Sequence, residues 1–236
     1  MAKDASSPSP SSLVPPTVPM ELHVKNREKL LRALRQHLSD SSRPLRGFVF
    51  LQGIANFESD LNTLHPILTE CRVLKSDLEL ALIQFANDIS SEAHVQVMRN
   101  IRVGMKEYQL ESMFLHHTYM YGGCRHCSYT CICATGGNSA VLHYGHAAAP
   151  NDRTFEDGDM ALLDMGAEFS FYGSDITCSF PVNGKFTSDQ RLVYNAVLAA
   201  HDAVISVMKP GVNWVDMHKL AEKTILDSLQ KARILV

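Results

Sequence analysis

Two aspartates, Asp164 and Asp175, are the residues whose type and spacing most directly suggest chemistry, and ten residues separate them within one strand-like stretch. A carboxylate in an apolar strand is costly unless a partner compensates its charge. If a hairpin turned between Phe169 and Ser170, the two aspartates would lie directly opposite each other, with Cβ atoms about 4.5–5.5 Å apart. Binuclear hydrolase sites hold their ions about 3.5–4 Å apart, so the spacing suits a pair of divalent metal ions.

The hairpin leaves other geometries open. A loop with an odd number of residues would place the two side chains on opposite faces of the sheet. Gly166 or Gly173 could host a bulge that redirects them. The plain alternative is a pair of solvent-facing aspartates on an edge hairpin, so spacing alone does not decide whether the pair binds metal.

The sequence contains clear signals for the start of the helices that precede and follow the segment with the two aspartates. Ser76 with Glu79 and Thr187 with Gln190 are capping-box patterns, each of which predicts the start of a helix. The first helix carries an apolar stripe and ends near Gly104. The members of that stripe are Leu80, Ile83, Ala86, Ile89, Ala93, Val97 and Ile101.

The order of the remaining elements predicts an α+β fold. A second helix begins near Lys106, carries Leu110, Met113 and Phe114 inward, and closes at the glycine pair 122–123. Strands are expected near residues 127–134, 139–143, 159–168 and 171–180. Two more helices follow, from residue 187 to 208 and from 214 to 231. The pattern is therefore two helices, an antiparallel sheet and two helices.

Composition excludes several classes of function. The chain has 236 residues, 45% of them hydrophobic and 20% charged, which is ordinary for a protein with a packed core. Its net charge of −3 favours neither nucleic acid nor an anionic membrane as a partner. No apolar run approaches the length of about 18 residues that a membrane-spanning helix needs. Six cysteines without a signal peptide predict a reduced, cytoplasmic protein.

A cluster of cysteines is a second candidate site. Cys124 and Cys127 are followed by Cys131 and Cys133, and thiolates at such spacing can form a zinc site. Structural zinc sites usually combine two well-separated pairs, and Cys131 and Cys133 alternate as strand residues that share one face. We expect free thiols here, with zinc as the alternative.

Several ordered motifs surround the aspartate pair and resemble one known family. They are Ser-Tyr-Thr-Cys-Ile-Cys at 128–133, Leu-His-Tyr-Gly-His at 142–146, Pro-Asn-Asp-Arg at 150–153, Leu-Asp-Met-Gly at 163–166 and Gly-Ser-Asp-Ile-Thr-Cys-Ser-Phe-Pro at 173–181. Together they resemble the prolidases, the Xaa-Pro dipeptidases among the pita-bread metallopeptidases. The resemblance runs from about residue 64 to at least residue 218.

The resemblance implies a site for two divalent ions, usually manganese, held by two Asp, one His and two Glu. Asp164 matches the aspartate that chelates one ion, and Asp175 matches the aspartate that bridges both. His143 matches a histidine that contacts the substrate, while His146 is either an ordinary satisfied histidine or a support for the site. The implied substrates are dipeptides with a C-terminal proline.

The chain also departs from this family. No histidine follows His218 and no glutamate follows Glu222, so three of the five implied ligands have no counterpart in these residues. We expect residues 1–20 to be a disordered tail and residues 64–236 to be the first half of the pita-bread catalytic domain. Residues 21–63, with a helix at 21–38 and a strand at 47–53, resemble a remnant of the family's N-terminal domain and a linker. A splice form, a gene-model fragment and a degenerate copy all fit such a shortened chain.

Three functional hypotheses follow. The chain has the ancestry of a manganese-dependent Xaa-Pro dipeptidase and little or no activity by itself. Alternatively, it is a non-catalytic partner that forms a homo-oligomer or pairs with a full-length subunit through an apolar sheet face. A third possibility is a product that does not fold stably.

Overall fold

The computed structural model describes residue 60 and residues 62–144 and 151–234. The expected tail at 1–20, the helix at 21–38 and the strand at 47–53 lie outside the described residues, as does His146. Five α-helices, six short strands and one 3₁₀ helix form within the described ranges.

The bounds of these elements follow the chain in order. The helices are α1 (Leu64–Val73), α2 (Asp77–Asn100), α3 (Glu107–Gly122), α4 (Ser188–Val207) and α5 (Trp214–Lys231). The strands are β1 (His126–Cys127), β2 (Ile132–Thr135), β3 (Met160–Asp164), β4 (Ala167–Phe169), β5 (Tyr172–Gly173) and β6 (Thr177–Pro181). A 3₁₀ helix covers Gly136–Ala140.

The strands form two three-stranded sheets with the orders β1-β4-β5 and β2-β3-β6. The predicted strands at 159–168 and 171–180 are each divided between the two sheets. The division of the first falls at Met165 and Gly166, where the carbonyl oxygen of Ser174 occupies the space that a Cβ on Gly166 would need. The strand predicted at 139–143 is wrong, because those residues complete the 3₁₀ helix and a turn.

Both predicted capping boxes are confirmed. The Ser76 amide donates to the Glu79 carboxylate at 2.6 Å, and the Glu79 amide donates back to the Ser76 hydroxyl at 3.4 Å. The Thr187 amide donates to the Gln190 side chain at 2.9 Å, and the Gln190 amide donates to the Thr187 hydroxyl at 3.2 Å. These bonds satisfy amides that a helix start leaves without internal acceptors.

The apolar stripe of α2 is confirmed from Ala86 onward and wrong in its first turn. Leu80 is 53% exposed, whereas Leu82 and Phe85 are buried. Phe85 packs edge-on against Phe169 of β4, with ring centroids 4.8 Å apart. The N-terminal part of α2 therefore buries Leu82 and Phe85 instead of Leu80, and the aromatic contact with β4 adds to the packing of this face.

The chain divides into two compact units. The first comprises the described residues up to Arg99 together with Glu111–Cys131 and Asp164–Thr177, and the second comprises Asn100–Leu110, Ile132–Leu163 and the described residues from Cys178 onward. The core of the first unit contains Leu82, Phe85, Ile89, Val97, Phe114 and Met165. The core of the second contains Leu110, Ile132, Phe155, Leu163, Val182 and Ala196. None of the helices formed by the described residues is long and apolar enough to cross a membrane.

Candidate metal centre

The hairpin of the first unit turns one residue later than the sequence predicts. Strand β4 pairs with β5 in the register Phe169 with Tyr172 and Glu168 with Gly173, so the loop is Ser170 and Phe171. Both loop residues have positive φ, 52° and 69°, which is the signature of a type I′ turn. The predicted turn between Phe169 and Ser170 is therefore wrong: the observed loop is centred one residue later, and its two positive φ values match the twist of the flanking strands.

The shift changes how the two aspartates meet and leaves them on one face. The Ser174 amide donates to the Ala167 carbonyl at 3.0 Å, and the Met165 amide donates to the Ile176 carbonyl at 3.1 Å. Asp164 and Asp175 precede the two members of the Met165–Ile176 pair. Asp164 and Asp175 therefore lie diagonally across the hairpin from each other, and both are on the face opposite that of Met165 and Ile176. Long or polar side chains in this diagonal arrangement can still meet.

A tyrosine hydroxyl shows that the two carboxylates converge. The Tyr129 hydroxyl forms a short hydrogen bond with Oδ1 of Asp164 and lies 3.2 Å from Oδ1 of Asp175. A phenol has one proton to donate, so the two carboxylates share a single donor. Burial first, and then the bond to Asp164 and the two negative charges, raise the pKa of Tyr129 far above its usual value. Tyr129 therefore remains a neutral donor at physiological pH.

Tyr129 is a contact of both candidate ligands that the sequence did not indicate. It lies within the 128–133 motif, but nothing in its spacing from Asp164 or Asp175 indicates a contact. The loop that carries it follows β1, whose Cys127 pairs with Ala167. The Ser128 amide then donates to the Gly166 carbonyl at 2.9 Å. These contacts bring the loop alongside the hairpin, so only the sheet pairing places the phenol over the carboxylates.

Helix α2 anchors the same hairpin from beneath through buried polar side chains. Ser90 and Ser174 share a hydrogen bond at 2.6 Å, and the Ala167 amide donates to the Ser90 hydroxyl at 3.0 Å. His94, one turn after Ser90, places Nε2 3.0 Å from the carbonyl oxygen of Met165, so that nitrogen is the donor. The only sequence signal for these anchors is the occurrence of two polar residues at one-turn spacing inside an apolar stripe.

His94 is held neutral by its surroundings. It is 2% exposed and packs edge-on against Phe114, with ring centroids 5.3 Å apart. Burial lowers the pKa of His94, and the bond to the Met165 carbonyl and the charge of Asp164 only partly oppose that effect. A neutral imidazole that donates through Nε2 fixes the backbone of Met165 directly beside Asp164.

The donor chemistry suits a hard divalent ion but does not complete a site for one. Carboxylate oxygens are the ligands that manganese, magnesium and calcium prefer. Across the described residues, however, no group of three or more His, Cys, Asp or Glu side chains could hold a metal ion. Such ions usually take six or more oxygen ligands, so the two aspartates account for only part of a coordination shell.

His143 lies in the second unit, in an exposed turn between the 3₁₀ helix and the end of the described segment. Its neighbour Tyr144 is buried and donates through its hydroxyl to the carboxylate of Glu107 at 2.6 Å. The side chain of Asn138 donates to the same carboxylate at 3.1 Å. The fold thus fixes the segment that carries His143 and leaves the imidazole open to solvent.

Glu107 is the centre of that arrangement. It is fully buried, and besides Tyr144 and Asn138 it accepts from the amides of Thr135 at 2.9 Å and Arg153 at 3.3 Å. Burial and the adjacent Glu107 carboxylate raise the pKa of Tyr144 to about 12. These donors satisfy the oxygens of a carboxyl group that is removed from water.

The cysteine cluster forms a thiol contact. Cys127 and Cys131 place their sulfur atoms 3.8 Å apart, and all six cysteines are reduced. Cys124 is buried beside the end of α3, and burial raises its pKa to about 11. Free thiols, with a zinc site as the alternative, remain a prediction for this cluster.

The chain belongs to Metallopeptidase family M24, whose model matches residues 81–233. That family implies a divalent metal. Human Xaa-Pro dipeptidase is 55% identical over 209 residues, a match that covers 89% of this chain and 42% of the human protein. The resemblance to the Xaa-Pro dipeptidases is thereby confirmed, and the chain spans less than half the length of this curated relative.

Solved structures agree on the fold. Zinc-substituted Escherichia coli aminopeptidase P, in complex with product, is 34% identical with a TM-score of 0.69 and covers 78% of this chain and 42% of its own. The aminopeptidase PepP of Pseudomonas aeruginosa is 28% identical with a TM-score of 0.68 and covers 93% of this chain and 46% of its own. The chain therefore has the α+β fold of the first half of a pita-bread metallopeptidase.

Proposed function

We propose that this chain supplies part of a binuclear manganese site for the hydrolysis of Xaa-Pro dipeptides. The observation that carries the proposal is the convergence of Asp164 and Asp175 on the one hydroxyl of Tyr129. Two carboxylates that share a neutral donor and belong to a metallopeptidase chain are arranged to hold cations. The family match and the similarity to human Xaa-Pro dipeptidase support the substrate class.

The proposed roles follow the family motifs residue by residue. Asp164 would chelate one ion, Asp175 would bridge two, and His143 would contact the substrate. When bound, such ions lower the pKa of a water molecule and polarise the scissile carbonyl. Tyr129 orients both carboxylates from their shared hydrogen bond, and His94 fixes the backbone beside Asp164 through Met165.

We further propose that these 236 residues hydrolyse little by themselves. They supply two of the five ligands that the family resemblance implies, and residues 64–236 would form the first half of the catalytic domain. A reducing compartment, the cytosol, fits a chain with six reduced cysteines. The complete activity then requires a histidine and two glutamates from outside this sequence.

Manganese binding and hydrolysis test the proposal on the purified chain. We expect weak Mn²⁺ binding by electron paramagnetic resonance, which Asp164→Asn and Asp175→Asn each weaken further. Asp189→Asn, an exposed carboxylate at the start of α4, is the matched control and should leave binding unchanged. Rapid hydrolysis of Gly-Pro by the chain alone would contradict the proposal, as would Mn²⁺ binding that survives the loss of both aspartates.

A chimera provides the complementary test. The chain can be joined to the segment of human Xaa-Pro dipeptidase that follows the matched region. We expect manganese-dependent hydrolysis of Gly-Pro that Asp164→Asn abolishes, Asp189→Asn preserves, and His143→Ala impairs mainly through KM. An active chimera that does not depend on Asp164 would show that this residue is not a metal ligand.

A second candidate function is pairing with another chain. Helix α4 exposes Val193 and Val197, one turn apart and 48% and 52% accessible, and Leu198 beside them is 43% accessible. An exposed apolar stripe of this kind is typical of a protein contact surface. A homo-oligomer or a complex with a full-length subunit would cover it.

Size-exclusion chromatography tests the pairing hypothesis. We expect a dimer at micromolar concentration that the double variant Val193→Glu with Val197→Glu converts to a monomer. The double variant Asn195→Glu with Ala199→Glu places the same two charges on the side of the helix opposite the two valines and serves as the control. A wild-type chain that elutes as a monomer at every concentration would exclude self-pairing through this surface.

A further inference from the structure

The contact between Cys127 and Cys131 has no role in the proposed metal chemistry. Their sulfur atoms are 3.8 Å apart, and a disulfide requires about 2.05 Å, so the approach needed is less than about 2 Å. Cys127 is partly accessible at the end of β1, whereas Cys131 is 2% exposed. The pair therefore combines one thiol that a small oxidant can reach with a second thiol already in contact with it.

The three residues between these cysteines include Tyr129. A bond between Cys127 and Cys131 would close a ring around Ser128, Tyr129 and Thr130. At one end of that ring, pairing of Cys127 with Ala167 and the bond of Ser128 to Gly166 hold the backbone to the hairpin. We therefore infer that closing the sulfur–sulfur distance moves the part of the loop that carries the phenol.

We propose that Cys127 and Cys131 form an oxidative modification site, in which a hydroperoxide converts the thiol pair to a disulfide and displaces Tyr129 from Asp164 and Asp175. The site would make the arrangement of the two carboxylates depend on redox state. It does not require the proposed metal function, since the loop and the carboxylates contact each other in the chain itself.

The chemistry balances with hydrogen peroxide as the oxidant. The Cys127 thiolate attacks one peroxide oxygen, the O–O bond breaks, and the leaving hydroxide takes a proton to become water, which leaves a sulfenic acid on Cys127. The Cys131 sulfur then attacks the Cys127 sulfur, the S–O bond breaks, and a second water leaves as the disulfide forms. Two thiols and one peroxide thus yield one disulfide and two waters.

The local electrostatics select Cys127 as the attacking residue. The thiol of Cys131 hydrogen-bonds to Cys127 and lowers its pKa, although burial and the carboxylates of Glu111 and Glu168 oppose the effect. Cys124, three residues earlier, is buried with a pKa raised to about 11 and stays a thiol. Thiolate character and access both favour reaction at Cys127.

Mass spectrometry tests the modification on the full chain. The reduced protein is treated with hydrogen peroxide, remaining thiols are alkylated, and peptides are mapped. We expect a Cys127–Cys131 bridge with the loss of two hydrogen atoms, which both Cys127→Ser and Cys131→Ser abolish. Cys178→Ser is the matched control, since Cys178 is also half-buried and should leave the bridge unaffected. A bridge to Cys124, or oxidation of Cys127 to the sulfinic acid without a bridge, would overturn the proposal.

The displacement of Tyr129 has its own readout. In a chain labelled with carbon-13 at the phenolic ring carbon, Tyr129 is the one resonance of seven that Tyr129→Phe removes. Oxidation should shift that resonance in the wild type and in Cys178→Ser, and should not shift it in Cys127→Ser. A bridge that forms while the Tyr129 resonance stays in place would disprove the link to the carboxylate pair. Neither readout involves metal, so these outcomes are distinct from those of the manganese experiments.

Discussion

Replacement of Glu107 should destabilise the second unit more than replacement of any exposed carboxylate. The side chain is fully buried and accepts hydrogen bonds from four donor groups, of which the Thr135 amide and the Tyr144 hydroxyl are the least accessible. A buried donor that loses its acceptor costs about 1–3 kcal/mol. Two such donors, with the cavity left by truncation, give an expected loss of about 3–5 kcal/mol for Glu107→Ala.

Urea unfolding followed by circular dichroism measures this loss. Tyr144→Phe removes one donor and keeps the ring, so we expect a cost of about 1–2 kcal/mol. In the double variant, the two losses should be clearly non-additive, because the residues share one hydrogen bond. Glu156→Ala, an exposed carboxylate in the same unit, should change the unfolding free energy by about 0.5 kcal/mol or less. If Glu107→Ala costs no more than Glu156→Ala, the buried network does not stabilise this unit.

The pH dependence of stability provides a second measure of the same contact. Tyr144 has a pKa of about 12 in the folded chain, against about 10 for an unperturbed tyrosine. Between these values the unfolded chain loses the phenolic proton while the folded chain keeps it, so stability should fall as pH rises from about 10 to about 12. Tyr144→Phe should remove that component and leave the slope contributed by other groups.

Three further predictions concern the first unit. The lowered pKa of His94 means that the unfolded chain takes up a proton at a higher pH than the folded chain does, so the free energy of unfolding should fall as the pH drops below about 6.5. In urea titrations, His94→Gln should reduce this dependence of stability on pH. Phe171→Gly should raise the midpoint of thermal unfolding, because the side chain is 89% exposed and a positive φ costs about 1 kcal/mol in a residue with a Cβ. A lower midpoint would show that the exposed ring makes a stabilising contact. Gly166→Ala should cost about 2 kcal/mol or more, because its Cβ would overlap the Ser174 carbonyl. Gly137→Ala, in the second unit, also lies outside the positive-φ region but meets no neighbouring atom, so it should cost far less.

Local signals in the sequence predicted much of the fold. The two capping boxes, the glycine pair that closes α3 and the helices α4 and α5 all depend on contacts between residues a few positions apart. Such contacts form in the same way wherever the segment is placed, so pattern reasoning recovers them. The buried face at the start of α2 was predicted wrongly, and there Phe85 packs against Phe169, more than eighty positions away in the sequence.

The candidate metal site likewise combines residues that local sequence patterns identified with contacts that only the tertiary structure shows. Motif spacing identified Asp164 and Asp175 as candidate ligands but left open whether they share a face of the hairpin, which the observed register of the strands decides. Tyr129 was missed because its contact with them joins segments 35 and 46 positions apart. The predicted position of the hairpin loop was off by one residue. The observed turn needs a positive φ at both Ser170 and Phe171, and neither residue type indicates such a conformation in the sequence.

The sequence by itself determined the family, the helices that follow the two capping boxes, and the two acidic residues as candidate ligands, because each is a property of residue type and short-range periodicity. The register of the hairpin and the division of the strands between two sheets depend on the tertiary structure. Only the tertiary structure decided which donor holds those carboxylates, which helix residues anchor their hairpin, and which cysteines touch. The physical reason is that these contacts arise from sheet pairing and helix packing between distant segments, where close packing over the whole core selects the partner.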